Sequence, residues 1–316
     1  METTSPGQPA AEPTTTTCFR HSRRETQVRC SRCDRFICPD CMREAPVGFR
    51  CPECVRNENK TVRAARTLFG GALTTRPYVT YALVAVTILA YLAELADPTV
   101  IDRFSNMGTG LVGPDGVHYI DDGTPYPGYT PEGIAHGQWY RLLTSAFLHL
   151  TPAVGLFGIA HIVLNMYWLW ILGRILEEQL GWWRFLAVYL LSALGGSVLG
   201  FLEAPEQGAV GASGAIFGLA ACYFIVASRM GRQPMDRHRL LFMFVAWMVL
   251  SAGFTSWQGH LGGLLTGGLL GAALAYAPRR HRLAVQAGVF AATAIGLIVL
   301  TAVKAANLTA AAAIAM

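Results

Sequence analysis

The chain has 316 residues, of which 53% are hydrophobic and only 14% charged, with a formal net charge of +5. A soluble domain carries about 25% charged residues, so an ordinary single soluble fold is excluded, and the net charge says little about partners until its distribution is seen. Residues 1–76 are polar and basic, whereas long apolar runs fill residues 77–304, so the bulk reads as a polytopic membrane protein preceded by a small soluble module.

Residues 1–17, METTSPGQPAAEPTTTT, have neither a basic n-region nor an apolar h-region. They read as a disordered tail rather than a cleavable signal peptide. Residues 18–55 hold seven of the eight cysteines: Cys18-x2-His21, Cys30-x2-Cys33, Cys38-x2-Cys41 and Cys51-x2-Cys54. Four ligand pairs at this spacing suffice for two tetrahedral sites, so two structural zinc ions are expected, with iron–sulfur as the competitor. A cross-brace would join Cys18, His21, Cys38 and Cys41 at one site, and Cys30, Cys33, Cys51 and Cys54 at the other. The first six ligands resemble those of a B-box finger, with Cys51 and Cys54 in place of its final histidines. So short a module has little core, and metal is expected to supply its folding energy. A protein-interaction role is expected. Arg20, Arg23, Arg24, Arg29, Arg32 and Arg35 would suit acidic lipid or nucleic acid less well, and no nucleic-acid partner is expected. Residues 56–76 read as a basic linker.

A helix crossing the hydrocarbon core needs about 20 apolar residues. Seven segments qualify: 77–96, 155–173, 184–202, 211–228, 239–256, 258–277 and 284–303, some bordered by Pro77, Pro205 and Pro278. The Lys and Arg tally loop by loop, from residue 56 to the C-terminus, is 5, 1, 2, 0, 4, 0, 3, 1. Basic residues favour the cytoplasmic side of short loops, so this alternation predicts seven spans with the N-terminus cytoplasmic and the C-terminus external. The cysteines then lie in a reducing compartment, which favours metal over disulfides. Loop 97–140 becomes external. Trp139 and Tyr140 at its end read as an interfacial anchor, and residues 97–135 equally as an ordinary surface loop. The expected organisation is a six-span core over 77–277, a seventh span over 278–304 and a short tail over 305–316.

Polar side chains inside a membrane face the bundle interior or a water-filled cavity. His161 and Asn165 lie four apart on the second span, on one helix face. Ser213 opens the fourth span and His260 the sixth. These three spans run in the same direction in the predicted topology, so all four residues fall at similar depth near the outer side. Gly214 and Gly218 on the fourth span, and Gly263, Gly267 and Gly271 on the sixth, are small-residue stripes that allow close helix approach. Such approach would bring the Ser213 hydroxyl to the His260 ring, which can take its proton. No Asp or Glu lies within those two spans, so a hydrolase here would work with a Ser–His dyad, and His161 and Asn165 are candidate oxyanion donors. Each residue also has a plain packing reading; the shared depth sets the group apart. Cys222 reads as core.

Trp139-Tyr-Arg141, His161-x-x-x-Asn165, Gly211-x-Ser213-Gly214, His260 followed by Leu-Gly-Gly, and Gly173 and Glu177 in GRILEE together resemble the rhomboid family of intramembrane serine proteases. The resemblance covers about residues 77–277, and the seventh span looks like the family's appended C-terminal helix. It implies an all-α polytopic fold, a six-helix bundle plus one C-terminal transmembrane helix. It implies Ser213 as nucleophile and His260 as general base, with the Ser213 amide, His161 and Asn165 as the oxyanion hole. Gly211, Gly214 and Phe217 would be supporting residues, Phe217 packing on the His260 ring. The stretch LTPAVGLFGIA between His149 and His161 departs from the family pattern.

The expected function is an intramembrane serine endopeptidase that cleaves single-span membrane proteins within the bilayer near the outer leaflet. Two alternatives remain: an inactive relative that binds transmembrane helices, and a small transporter, which would call for an ionisable residue deeper in the bundle. No catalytic cofactor is expected, and a protein partner is the candidate ligand of the zinc module.

Overall fold

The computed structural model describes residues 16–61, 65–73, 76–121, 124, 126–231 and 233–315. Most of the expected tail, residues 1–15, lies outside the described residues, as do Arg63 and Arg232 of the charge tally. The chain divides into two compact units, Met1–Ala64 and Ala65–Met316.

The first unit holds a 3-10 turn at Pro39–Cys41, an antiparallel hairpin of β1 (Arg43–Glu44) and β2 (Phe49–Arg50), and helix α1 (Pro52–Thr61). Apart from Ile37, its buried apolar residues are all cysteines. Of the six arginines that could serve an acidic ligand, Arg24 pairs with Asp40, Arg29 with Asp34, Arg32 with Glu58 and Arg35 with Glu53. Pairing cancels most of the field an anion would need.

The second unit is helical. Its long helices are α2 (Tyr78–Ala96), then, after the short α3 (Thr99–Phe104) and α4 (Arg141–Thr144), α5 (Leu156–Leu180), α6 (Trp182–Glu203), α7 (Ser213–Ala227), α8 (Arg237–Leu250), α9 (Trp257–Tyr276) and α10 (Arg282–Ala315). This is an all-α polytopic membrane fold, with one long helix at each of the seven expected spans. Four of them, α2, α5, α6 and α10, are long and apolar enough to cross a membrane on those grounds alone. Helix α7 has 15 residues and α8 has 14. At 1.5 Å per residue α8 is about 21 Å long, shorter than the hydrocarbon core. The expected span 239–256 thus ends early, because residues 251–256 form turns. The expected tail 305–316 is different in kind: α10 continues to Ala315, as its alanine-rich sequence favours.

Helices α6, α7 and α9 form the centre, with the most extensive contact between α7 and α9. Twelve of the 15 residues of α7 are buried, so this helix is apolar on every side. Glycine sets the crossing distances. A Cβ at Gly214 would lie 3.0 Å from the Gly259 carbonyl, and one at Gly218 would lie 2.8 Å from that of Gly263. Gly263 and Gly267 in turn lie against the carbonyls of Gly214 and Gly218. On the other flank, α5 is tied to α2 through the GRILEE stretch. The buried Glu177 carboxylate accepts bonds from the Val79 and Thr80 amides and the Thr80 hydroxyl at 2.8–3.0 Å. These are the orphan donors of the first turn of α2.

The segment after α2 is more ordered than a plain surface loop. It forms a three-stranded antiparallel sheet in the order β4-β3-β5, from β3 (Gly110–Val112), β4 (His118–Ile120) and β5 (Thr130–Glu132). Arg141, 1% exposed, ties the sheet to α3: it pairs with Glu132 at 2.8 Å and donates to the carbonyls of Asp102 and Ser105. Glu132 also accepts from His118 at 2.6 Å.

Candidate functional site

Ser213 is the first residue of α7, and two residues before it Gly211 takes φ +134°. A side chain there would be strained. It would also collide with His161, since a Cβ at Gly211 would lie 2.9 Å from the ring atoms Cε1 and Nε2. The Ser213 hydroxyl and the His161 Nε2 therefore flank one point, at 3.6 and 2.9 Å from it.

His260 stands in the first turn of α9, whose N-cap Ser256 accepts from the Gly259 amide. Its Nε2 lies 3.0 Å from the Ser213 Oγ, across 47 residues of sequence. The ring stacks on Phe217 with centroids 4.2 Å apart and planes 9° from parallel. Its Nδ1 is buried without a hydrogen-bond partner. Ser213 and His260 thus meet as a pair, and among the described residues no carboxylate bonds to the imidazole from behind.

His161 and Asn165 occupy successive turns of α5. The Leu150 amide donates to His161 Nδ1 at 3.3 Å. A neutral ring with Nδ1 as acceptor carries its proton on Nε2, the atom on the Ser213 side. Asn165 is buried, and its Nδ2 donates to the His161 carbonyl at 2.7 Å, leaving one N–H of the amide group for another acceptor. A cavity of about 720 Å³ opens against Ser213, His161, Asn165 and His260, with Trp247 and Phe254 among its far walls. A second, of about 40 Å³, lies behind Ser213 among Ser145, Ser197 and Ser256. Its size and polar lining suit one or a few waters.

The residue pattern missed two groups beside this site. Glu94 on α2 is fully buried and accepts from the His149 amide at 3.1 and 3.2 Å. The His149 ring packs against His161 with centroids 5.0 Å apart. Glu94 thereby holds the strand of chain whose next residue, Leu150, orients His161. A lone acid in an apolar span was the available signal. The long stretch between His149 and His161 is taken up by a 3-10 turn at Pro152–Val154 and by Gly155 at φ +78°.

In the first unit the eight predicted ligands gather in the cross-braced pairing: Cys18, His21, Cys38 and Cys41 in one group, Cys30, Cys33, Cys51 and Cys54 in the other. Within each group every ligand atom lies within 4.8 Å of the others. Zinc with Zn–S bonds of about 2.3 Å places tetrahedral sulfurs about 3.8 Å apart, and Cys33 Sγ and Cys51 Sγ are 3.7 Å apart. Burial opposes ionisation of Cys18, but backbone amides from Cys38, Arg20 and His21 outweigh it and bring the thiol down to about 6. Cys30 is likewise brought down to about 6 against its burial. Burial and the neighbouring thiols push Cys41 up to about 11 and Cys54 up to about 12. Thiols crowded this closely cannot all ionise side by side, a conflict a cation relieves. The eight residues therefore fit two divalent ions.

Fold and site together define a multi-pass helical membrane protein with a Ser–His pair beside a cavity. A family model described as Rhomboid domain matches residues 136–277. The chain is 35% identical over 147 residues to rhomboid protease GluP of Bacillus subtilis (strain 168), covering 45% of this chain and 27% of that protein. It is 34% identical over 143 residues to putative rhomboid protease YdcA of the same organism, covering 44% of this chain and 68% of the relative. It is 29% identical over 157 residues to inactive rhomboid protein 1 of Papio anubis, covering 48% of this chain and 17% of that protein. The chain belongs to the rhomboid family, although it spans only about a quarter of the length of GluP.

Proposed function

We propose that this protein is an intramembrane serine endopeptidase in which Ser213 is the nucleophile and His260 the general base. The observation that carries the reading is the 3.0 Å contact between Ser213 Oγ and His260 Nε2. Nε2 takes the hydroxyl proton as Oγ attacks the scissile carbonyl, then returns it to the leaving amine. The negative charge that develops on the carbonyl oxygen meets the Ser213 amide, the Nε2–H of His161 and the Asn165 amide group. Water then hydrolyses the acyl-enzyme. Gly211 and Gly214 support the site by leaving room for His161 and for the close crossing of α9, and Phe217 holds the His260 ring. Labelling by a fluorophosphonate probe tests the assignment: the wild type takes up the probe and Ser213→Ala does not. An unlabelled wild type of intact fold would favour the inactive, helix-binding reading; of its two parts, the Papio anubis relative's name carries only the inactivity.

The donor roles of His161 and Asn165 have their own test. His161→Ala and Asn165→Ala are each expected to lower kcat by about 10²–10³ while leaving measurable turnover. An unchanged kcat in both variants removes them from the oxyanion hole.

The substrates we propose are single-span membrane proteins, cut near the outer leaflet, with the N-terminus of this chain cytoplasmic and its C-terminus external. A membrane-spanning peptide stays helical because its amides must be satisfied internally. Its carbonyls are then shielded, so it must unwind locally before attack. Unwinding is easiest where water can reach the freed amides and where helix propensity is poor, Gly being about 1 kcal/mol worse than Ala. Cleavage is therefore expected near the external end of the substrate helix, with Gly, Ser or Pro just below the cut. Mass spectrometry of the products checks this, and Leu at those positions should slow cleavage without blocking insertion. A cut at the cytoplasmic end contradicts it.

The first unit is proposed to bind two zinc ions in a structural role, with a protein as its partner. The ions would fix the four ligand pairs in place, and they supply no step of the hydrolysis.

A further inference from the structure

Away from Ser213, three arginines converge on one short loop. Arg66 Nη1 donates to the Gly70 carbonyl at 3.1 Å. A point one Cβ away from the Gly70 backbone lies 3.4 Å from Arg184 Nη2 and 3.4 Å from Arg282 Nη1. Arg184 belongs to the first turn of α6 and Arg282 begins α10. The level is well separated from the Ser–His pair. Gly196, which packs against Gly214, lies twelve residues further along α6, or about 18 Å.

Arg184 is only 3% exposed, and the charged groups acting on it are Arg66 and Arg282, both of its own sign. None of the three makes an ion pair with a carboxylate among the described residues. The guanidinium is held by neutral partners. Its Nε donates to Gln286 Oε1 at 2.9 Å, and its plane lies 4.3 Å from the Trp183 ring centre. Gln286, itself fully buried, spends its own N–H groups on the carbonyls of Phe69 and Leu274. A buried cation without a counter-charge is costly. Here the surroundings orient the fork and leave its charge uncancelled.

We propose that Arg66, Arg184 and Arg282 bind a phosphate group, carried by the headgroup of an anionic phospholipid. The planar arginine fork matches phosphate oxygens in geometry as well as charge. A basic recess between membrane helices is where acidic headgroups bind. The lipid, rather than a soluble anion, is indicated by Trp182, 57% exposed, beside Trp183 at the same helix end, since tryptophans gather at the headgroup level. The bound headgroup joins α6, α10 and the loop 65–73, so the seventh helix is fastened to the six-helix core partly through lipid.

The test uses the full-length protein in nanodiscs of equal phosphatidylglycerol and phosphatidylcholine, followed by native mass spectrometry of retained lipid. The wild type is expected to retain phosphatidylglycerol about fivefold over phosphatidylcholine. Arg184→Gln alone risks the fold, so the decisive variant is Arg66→Gln/Arg282→Gln, which should fall to parity. The control Arg174→Gln/Arg279→Gln removes two other arginines and should keep the preference. Parity in the wild type, or equal loss in the control, overturns the proposal. A third arm measures melting in detergent with inorganic phosphate at constant ionic strength. A phosphate shift that disappears in Arg66→Gln/Arg282→Gln, without any preference for phosphatidylglycerol in nanodiscs, identifies a soluble anion and overturns the lipid source.

Discussion

Ser213→Ala and His260→Ala are each expected to reduce cleavage of a single-span substrate below detection. In serine hydrolases nucleophile and base act as a unit, and losing either costs on the order of 10⁶ in kcat. The double variant should therefore be no worse than either single one. The fold should survive, because among the described residues the Ser213 hydroxyl makes one hydrogen bond, to His260, and the closest approaches of α7 and α9 are made by glycine backbone rather than by these side chains. Cleavage assayed in proteoliposomes, with thermal melting as the folding control, checks both points. Substantial turnover by a folded Ser213→Ala protein would end the serine-hydrolase reading.

Removal of metal from the first unit should be equally decisive. Structural zinc contributes about 10–16 kcal/mol of apparent binding energy in small fingers, and here the interior consists of the ligands themselves plus Ile37. The purified protein should carry two zinc ions per chain, one for each ligand group, measured by elemental analysis. Chelation should open residues 18–55 to trypsin, which finds arginines throughout that stretch, while the helical unit stays resistant. Cys30→Ser should lose one ion, and Cys222→Ser, buried in α7 and outside both groups, should lose none. A protease-resistant first unit in metal-free protein would contradict this assignment, and iron in place of zinc would favour the cluster alternative.

Much of this arrangement was legible because the membrane makes polar residues conspicuous. His161, Asn165, Ser213 and His260 stood out against apolar spans, and the glycine stripes told which spans could touch. The cysteine pairs were equally plain, since their spacing has little other use. What stayed hidden depended on contacts that no local pattern encodes. Glu94 and Gln286 are isolated polar residues among apolar neighbours, and their partners, His149 and Arg184, lie 55 and 102 residues away. The small sheet after α2 was obscured because its strands have three residues each, too few for a clear alternation, although Pro114-Asp115-Gly116 is a turn signal between two of them. The early end of α8 was hidden for a related reason: residues 251–256 include Ala and Phe beside Gly and Ser, so composition alone extends the span through the turn.

The backbone-to-backbone crossing of α7 and α9 also makes the absence of a side chain the property that matters there. Enlarging a residue in a packed core costs about 1–3 kcal/mol as neighbours shift, and an opposing backbone has less room to shift than a side chain. In this bundle the positions with no side chain are the gauge blocks. Gly214, Gly218, Gly263 and Gly267 set the spacing between two stiff rods, and the Ser213–His260 distance is read off that spacing. A single methyl group at a crossing would meet opposing backbone at 3.0 Å or less and would separate nucleophile from base. The Ser213–His260 contact therefore depends most on the positions of α7 and α9 that look chemically emptiest.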